Sequence, residues 1–191
     1  PEVLDAEFAI NEGAGGELDS NGKPIVLQIQ AGEKVYQDFS IETTDAGGHS
    51  SRPTSVNAIV RLSEALAKIG AHQFPIGLNP VTRAYFEAMS KLVEPAIAAD
   101  MRAVLSSPPD GAAAQRLWTA DPSWNAMLRT TCIVTEIEGG HAPNAIPQHV
   151  KATVNCRILP GTPVADVQAE ISRVMADDAV TITPKGEGGG Q

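Results

Sequence analysis

Basic side chains are in short supply. The chain of 191 residues carries 14 lysines and arginines against 23 aspartates and glutamates, a formal charge of -9. That balance repels phosphate backbones and anionic lipid, so it argues against nucleic-acid and membrane-surface partners. No apolar run approaches the roughly 20 residues that span a bilayer, and no basic-then-apolar signal peptide opens the sequence. With only Cys132 and Cys156 there is no disulfide framework from which to infer a compartment, and localisation stays open between cytoplasm and periplasm. Also missing are HExxH, a Cys-rich zinc knuckle, a P-loop and Gly-x-Ser-x-Gly. The histidines His49, His72, His141 and His149 are scattered rather than spaced as a self-contained metal site. Aromatic residues make up 4%, but apolar residues reach 42%, enough over this length for the core of one domain, or of one domain plus a fragment. Pro1 in place of methionine and a Gly-rich end from Lys185 to Gln191 lead us to expect a piece of a longer protein.

Apolar Val3 to Ile10 reads as a strand leaving a body outside this chain, and it runs into turn composition at Asn11-Glu12-Gly13-Ala14-Gly15-Gly16. Asn21-Gly22 signals a tight turn before Ile25-Val26-Leu27. From Glu33 to Thr44 the residues Val35, Gln37, Phe39, Ile41 and Thr43 alternate with Tyr36, Asp38, Ser40 and Glu42, the period of a half-buried strand. Pro53-Thr54-Ser55 reads as a hydroxyl-capped helix start, with Val56, Ile59, Leu62, Leu66 and Ile69 as its apolar stripe and Gly70 as its stop. Residues 79–129 form a helical insertion, in which Thr82 can cap a helix carrying Phe86, Met89 and Leu92, while Pro95, Pro108-Pro109 and Pro122 cut the rest into short pieces. Thr130 to Glu138 and His149 to Leu159 are strands of one hairpin around Gly139 to Gln148. Val164, Val167, Ile171 and Val174 trace a last helix, and Val180 to Thr183 a closing strand. With the insertion set aside, the order predicts an α+β fold: a βαββαβ two-layer sandwich, a four-stranded antiparallel sheet with two helices on one face. There is no internal repeat.

Three clusters can carry chemistry. Asn11-Glu12-Gly13 places a carboxylate on a Gly-flanked turn, though Glu12 alone reads first as an ordinary exposed loop residue. Gly47-Gly48-His49-Ser50-Ser51 places His49 on a turn where paired glycines permit positive φ; solvated loop histidine and functional histidine stand even. Gly139-Gly140-His141-Ala142-Pro143-Asn144-Ala145-Ile146-Pro147 is followed by Arg157 in the next strand. An amide and a guanidinium side by side suit bidentate capture of a carboxylate, the alternative being a turn Asn and an edge Arg with a surface partner. Cys132 and Cys156 fall roughly opposite in the hairpin, and two small packed thiols are the expectation over a disulfide.

Together these motifs resemble the dimerisation (lid) domain of the aminoacylase/carboxypeptidase-type di-zinc metallopeptidases, the family of aminoacylase, glutamate carboxypeptidase and succinyl-diaminopimelate desuccinylase. The motifs in question are Gly-Gly-His-Ser-Ser with Asn57-Ala58-Ile59 after it, and Asn-Ala-Ile-Pro with Arg157 following. The resemblance implies that residues 1–31 are a catalytic-domain remnant with its connecting segment, 32–184 the lid, and 185–191 a flexible tail. It implies that Glu12 is the last carboxylate ligand of one of two zinc ions, although Ala14 stands where a Gly is common. His49 would reach across a homodimer to stabilise an oxyanion, and Asn144 and Arg157 would hold the substrate's terminal carboxylate. The parent would hydrolyse peptide or N-acyl amino acid amide bonds. The fragment, lacking the remaining ligands, would be inactive and hold no tight zinc. The expected dimer uses the edge strand 130–138 and the helix 56–69. A regulatory βαββαβ domain that binds amino acids is the competing reading, against which Asn11-Glu12-Gly13 and the inserted helices speak. A purely structural assembly domain leaves His49, Asn144 and Arg157 unexplained.

Overall fold

The computed structural model describes residues 15–189. The sequence-predicted strand Val3 to Ile10 and Glu12 lie outside them. The chain divides into two compact units, Pro1–Glu33 and Lys34–Gln191. In the first, β1 (Gly16–Leu18) and β2 (Pro24–Leu27) form an antiparallel hairpin. The Asn21-Gly22 signal is sound: Gly22 adopts φ +79, and the Asp19 carboxylate accepts from the amides of Asn21 and Lys23.

In the second unit, β3 (Val35–Thr44) is followed by the two-residue β4 (Gly48–His49) and by α1 (Ala58–Ala71). The insertion holds α2 (Pro80–Met89), α3 (Pro95–Ala103), α4 (Gly111–Ala120) and α5 (Pro122–Leu128). Then come β5 (Thr131–Gly139), β6 (Ala145–Ile146), β7 (His149–Ile158), α6 (Val164–Met175) and β8 (Val180–Gly189). The four long strands make one antiparallel sheet in the order β5-β7-β3-β8, with β5 at an edge. This is the expected sandwich.

Period-two alternation explains the core. Phe39 and Ile41 of β3 and Val150, Ala152, Val154, Cys156 and Ile158 of β7 point to one face, where Ala58, Leu62, Ala65, Leu66 and Ile69 of α1 and Val167, Ile171 and Met175 of α6 cover them. Gln37 sits in the same apolar row and is buried, its amide satisfied by the carbonyls of Asp38 and Lys185.

Several details differ from the sequence expectation. The cap of α1 is Asn57, whose side chain accepts from the Val60 amide, because Thr54 spends its hydroxyl on the Val56 carbonyl. The helix therefore starts after Val56, which is 41% exposed, and Ile59 lies on the flank of the buried stripe at 43%. Gly70 does not stop α1, which runs one residue further and closes with the His72 amide on the Ile69 carbonyl. In the insertion, Asn79 is the cap and Thr82 its reciprocal partner in a capping box, while Leu92 is exposed. Pro80, Pro95 and Pro122 each open a helix, the position where a missing amide proton costs nothing.

The expectation of two separate thiols is overturned. Cys132 and Cys156 form a disulfide, because the β5–β7 register sets them directly opposite on one face with Cα atoms 4.1 Å apart. Strand β8 also continues to Gly189 where a free tail was expected from Lys185. Asp38 pairs with Lys185, and Lys185 Nζ donates to Thr153 Oγ1 at 2.7 Å, so β3 offers partners over the whole stretch.

The insertion is fastened at its base. The Gly77 amide donates to the Leu128 carbonyl at 2.9 Å. Arg129 Nη1 donates to Gln73 Oε1 and the Phe74 carbonyl, and Lys34 Nζ to the carbonyls of Ala126 and Arg129 and to Thr131 Oγ1. Among the described residues, no helix is long and apolar enough to cross a membrane.

Candidate functional site

Beyond the loop-side ends of β3 and β7 stands a separate two-stranded ladder: Gly48 pairs with Ile146 and His49 with Ala145. Gly47 permits this approach. Its φ is +73, and a Cβ there would meet Gln148 Cγ at 2.6 Å and the Ile146 carbonyl at 3.1 Å. The Asp45 amide donates to the Gln148 carbonyl and the Ser50 amide to the Asn144 carbonyl, both at 2.9 Å. The two sequence motifs are thereby locked together, and His49 and Asn144 share one exposed tip. Among the described residues the Asn144 side chain has no hydrogen-bond partner. Among the described residues the His49 imidazole meets Ser51 alone, at 2.8 Å from the hydroxyl and 3.2 Å from the backbone amide.

Arg157 is not at that tip. It lies eight positions along β7 from His149, about 26 Å at strand rise, opposite Tyr36 and Thr131. The side-by-side arrangement of Asn144 and Arg157 expected from the sequence is therefore absent within one chain, because the strand after the turn runs straight away from it. Arg157 stands on the sheet face that carries no helices, its guanidinium 4.7 Å above the Tyr36 ring. Tyr36 Oη donates to Asp38 Oδ2 at 2.8 Å, and Asn155 Nδ2 to Asp38 Oδ1 at 2.7 Å. The Asp38 hydrogen bond raises the Tyr36 pKa. Burial, and secondarily the charge of Arg157, push the Lys34 ammonium down to about 8. Lys34 directs its three protons to Ala126, Arg129 and Thr131, so Arg157 is the cation this end of the open face presents. Toward the tip, Glu42 accepts from Ser40 Oγ at 2.6 Å and lies 3.0 Å from His149 Nε2. Those two contacts, Ser40 first, hold the Glu42 carboxyl below the usual range.

Sequence reasoning set Tyr36 and Asp38 on the alternate face of β3 but missed them, and Asn155, as the frame around Arg157. It also missed Lys34 and the Ser51 contact. Cross-strand register was the missing signal for the frame. Glu12, the expected metal ligand, lies outside the described residues, and among those described no group of three or more His, Cys, Asp or Glu can hold a metal ion.

A four-stranded sheet covered by helices on one face leaves β5 as a bare edge, open to pairing. The chain belongs to the peptidase dimerisation domain family, whose model matches residues 31–183. It is 30% identical over 200 residues to the probable carboxypeptidase S-like 2 of Dictyostelium discoideum, covering 95% of this chain and 35% of that protein. It is 28% identical over 180 residues to the N-fatty-acyl-amino acid synthase/hydrolase PM20D1 of Mus musculus, covering 92% and 35%. Among solved structures, human carnosine dipeptidase 1 matches with a TM-score of 0.45 at 16% identity, over 81% of this chain and 37% of that one. The chain spans about a third of the length of the curated relatives it matches.

Proposed function

We propose that this domain is the dimerising lid of a hydrolase of the carboxypeptidase and aminoacylase type, which cleaves peptide or N-acyl amino acid amide bonds. Membership of the peptidase dimerisation family and relatives named as carboxypeptidases and N-acyl amino acid hydrolases support the class. Two zinc ions, bound chiefly by residues outside this chain with Glu12 as one ligand, would supply the activated water. The described residues form no such site, and the roles below do not depend on it.

The observation that carries the reading is the separation of His49 and Asn144 from Arg157. One protomer cannot close both ends of its sheet on one small substrate across about 26 Å. Two protomers can, if one supplies Arg157 to the substrate carboxylate while its partner supplies the tip. The bare edge β5 suits such assembly: Ile137 is 60% exposed there, and Val56, Ile59 and Val60 at the start of α1 add uncovered apolar surface. Pairing of two β5 strands about a two-fold axis would join the sheets and cover that surface. His49 then donates to the oxyanion and Asn144 and Arg157 hold the carboxylate from opposite sides.

The test mixes full-length His49→Ala subunits with full-length Arg157→Ala subunits. Each homodimer should be deficient, the His49 variant by roughly 100-fold or more in kcat. After exchange, one site in every heterodimer regains both groups, so random mixing should restore about a quarter of wild-type activity. No recovery after verified exchange would show that the tip does not serve the neighbouring subunit.

A further inference from the structure

Ser51 approaches the His49 imidazole twice. Its Oγ lies 2.8 Å from Nδ1, and its backbone N–H donates to the same Nδ1 over 3.2 Å. A hydroxyl both gives and accepts hydrogen bonds, so the first contact alone leaves the tautomer open. An amide N–H only gives. Nδ1 must therefore present its lone pair to Ser51, and the hydroxyl must donate to it as well. In the neutral ring the single proton then sits on Nε2, which has no partner among the described residues.

We infer that Ser51 is a positioning residue that fixes His49 as the Nε2–H tautomer, giving the tip one outward-facing donor. This rests on the reading that His49 donates to an oxyanion. With the proton on Nδ1 the substrate would meet a lone pair, and the interaction would change from attraction to repulsion. The residue that supplies both donors, the hydroxyl by the shorter contact, is itself held in place. The Arg52 amide closes a turn on the His49 carbonyl at 2.9 Å, and the Ser50 amide is bonded to Asn144 across the ladder. Ser51 is thus presented to the ring by backbone that cannot rotate freely. A flipped ring would set a C–H against both donors and leave them unpaired.

The test begins on this chain with nitrogen-15 labelled histidine. Long-range nitrogen–proton correlation on the neutral ring distinguishes a protonated from a bare ring nitrogen. The expected result for the wild type is a protonated Nε2 and a bare Nδ1. Ser51→Ala should raise the Nδ1–H population, and Ser51→Thr should restore the wild-type pattern, with backbone amide signals outside the turn unmoved. A wild-type ring protonated on Nδ1, or populations indifferent to Ser51→Ala, would overturn the inference. In the full-length enzyme, Ser51→Ala should lower kcat roughly two- to tenfold, the worth of about one hydrogen bond, with KM little changed. It should cost nothing further in a His49→Ala background, and a loss that persists there would show Ser51 acting by another route. Failure of the functional reading is separable: if His49→Ala leaves kcat intact, the oxyanion role falls while the tautomer result is decided by the spectra alone.

Discussion

Reduction of the Cys132–Cys156 bond offers a direct measure of what the hairpin gains from its cross-link. The cysteines are 24 positions apart and meet in register between β5 and β7, whose backbones pair on both sides of them. The folded sheet therefore holds this geometry with or without the bond, and the effect of the bond falls mainly on the unfolded chain. Closing a loop of that length removes about 3.5 kcal/mol of unfolded-state entropy on the chain-entropy model. For an m value of about 1–3 kcal/mol per molar urea, the midpoint should fall by about 1.2–3.5 M on reduction. The assay compares urea unfolding of oxidised wild type with the same protein kept reduced by a dithiol, which avoids the packing loss that substituting the buried Cys156 would add. Because Cys156 is fully buried, reduction of the folded protein should also be much slower than in denaturant. Two free thiols titrated in urea without reductant, or coincident midpoints for the two forms, would refute the reasoning.

Two further expectations concern smaller groups. Asn57→Ala should destabilise by about 1 kcal/mol through loss of the α1 cap, whereas Thr54→Ala and Ser55→Ala should stay within about 0.5 kcal/mol in thermal or urea unfolding; equal effects at Asn57 and Thr54 would contradict the capping assignment. Because hydrogen bonds, Ser40 first, lower the Glu42 pKa, the stability this group contributes is present above the unfolded carboxylate value and is lost as pH falls through the folded one. Ser40→Ala should accordingly move the Glu42 titration midpoint upward in carbon-13 carboxylate spectra, and an unmoved midpoint would count against that cause.

The layers of the fold were legible because β3 and β7, the two central strands, are each apolar on one face only. In β3 and β7 a slip of one residue would drive Tyr36, Asp38 or Arg157 into the core, so alternation specifies the face without reference to partners. The insertion was legible for a different reason: prolines at 80, 95 and 122 mark helix starts by backbone chemistry alone. The start of α1 was not, since Thr54, Ser55 and Asn57 are all competent caps, and the choice depends on where the buried stripe meets the sheet. The cysteines illustrate the same limit. Their opposition could be read from the hairpin, but bond formation depends on two side chains sharing a face across the pair, which counting leaves open. At the site, Gly-Gly-His and Asn-Ala-Ile-Pro announced themselves by their glycines and turn residues. The distance from Asn144 to Arg157 was misjudged because nearness in sequence is not nearness in space once the intervening residues are extended.

The bond from the Gly77 amide to the Leu128 carbonyl has a consequence for how this domain tolerates change. It brings the two ends of the insertion within 2.9 Å of each other, so the chain leaves the sandwich and re-enters it at one spot. To α1 and β5, the whole excursion over residues 78–127 is geometrically equivalent to a tight turn. Because the entropic cost of such a closed excursion grows only with the logarithm of its length, helices can be gained, lost or exchanged there with little effect on the sheet. The domain therefore has a socket, next to the Arg157 end of the sheet and away from the histidine tip, where evolution or an engineer can fit a different attachment while the register of β3, β5 and β7 stays as it is.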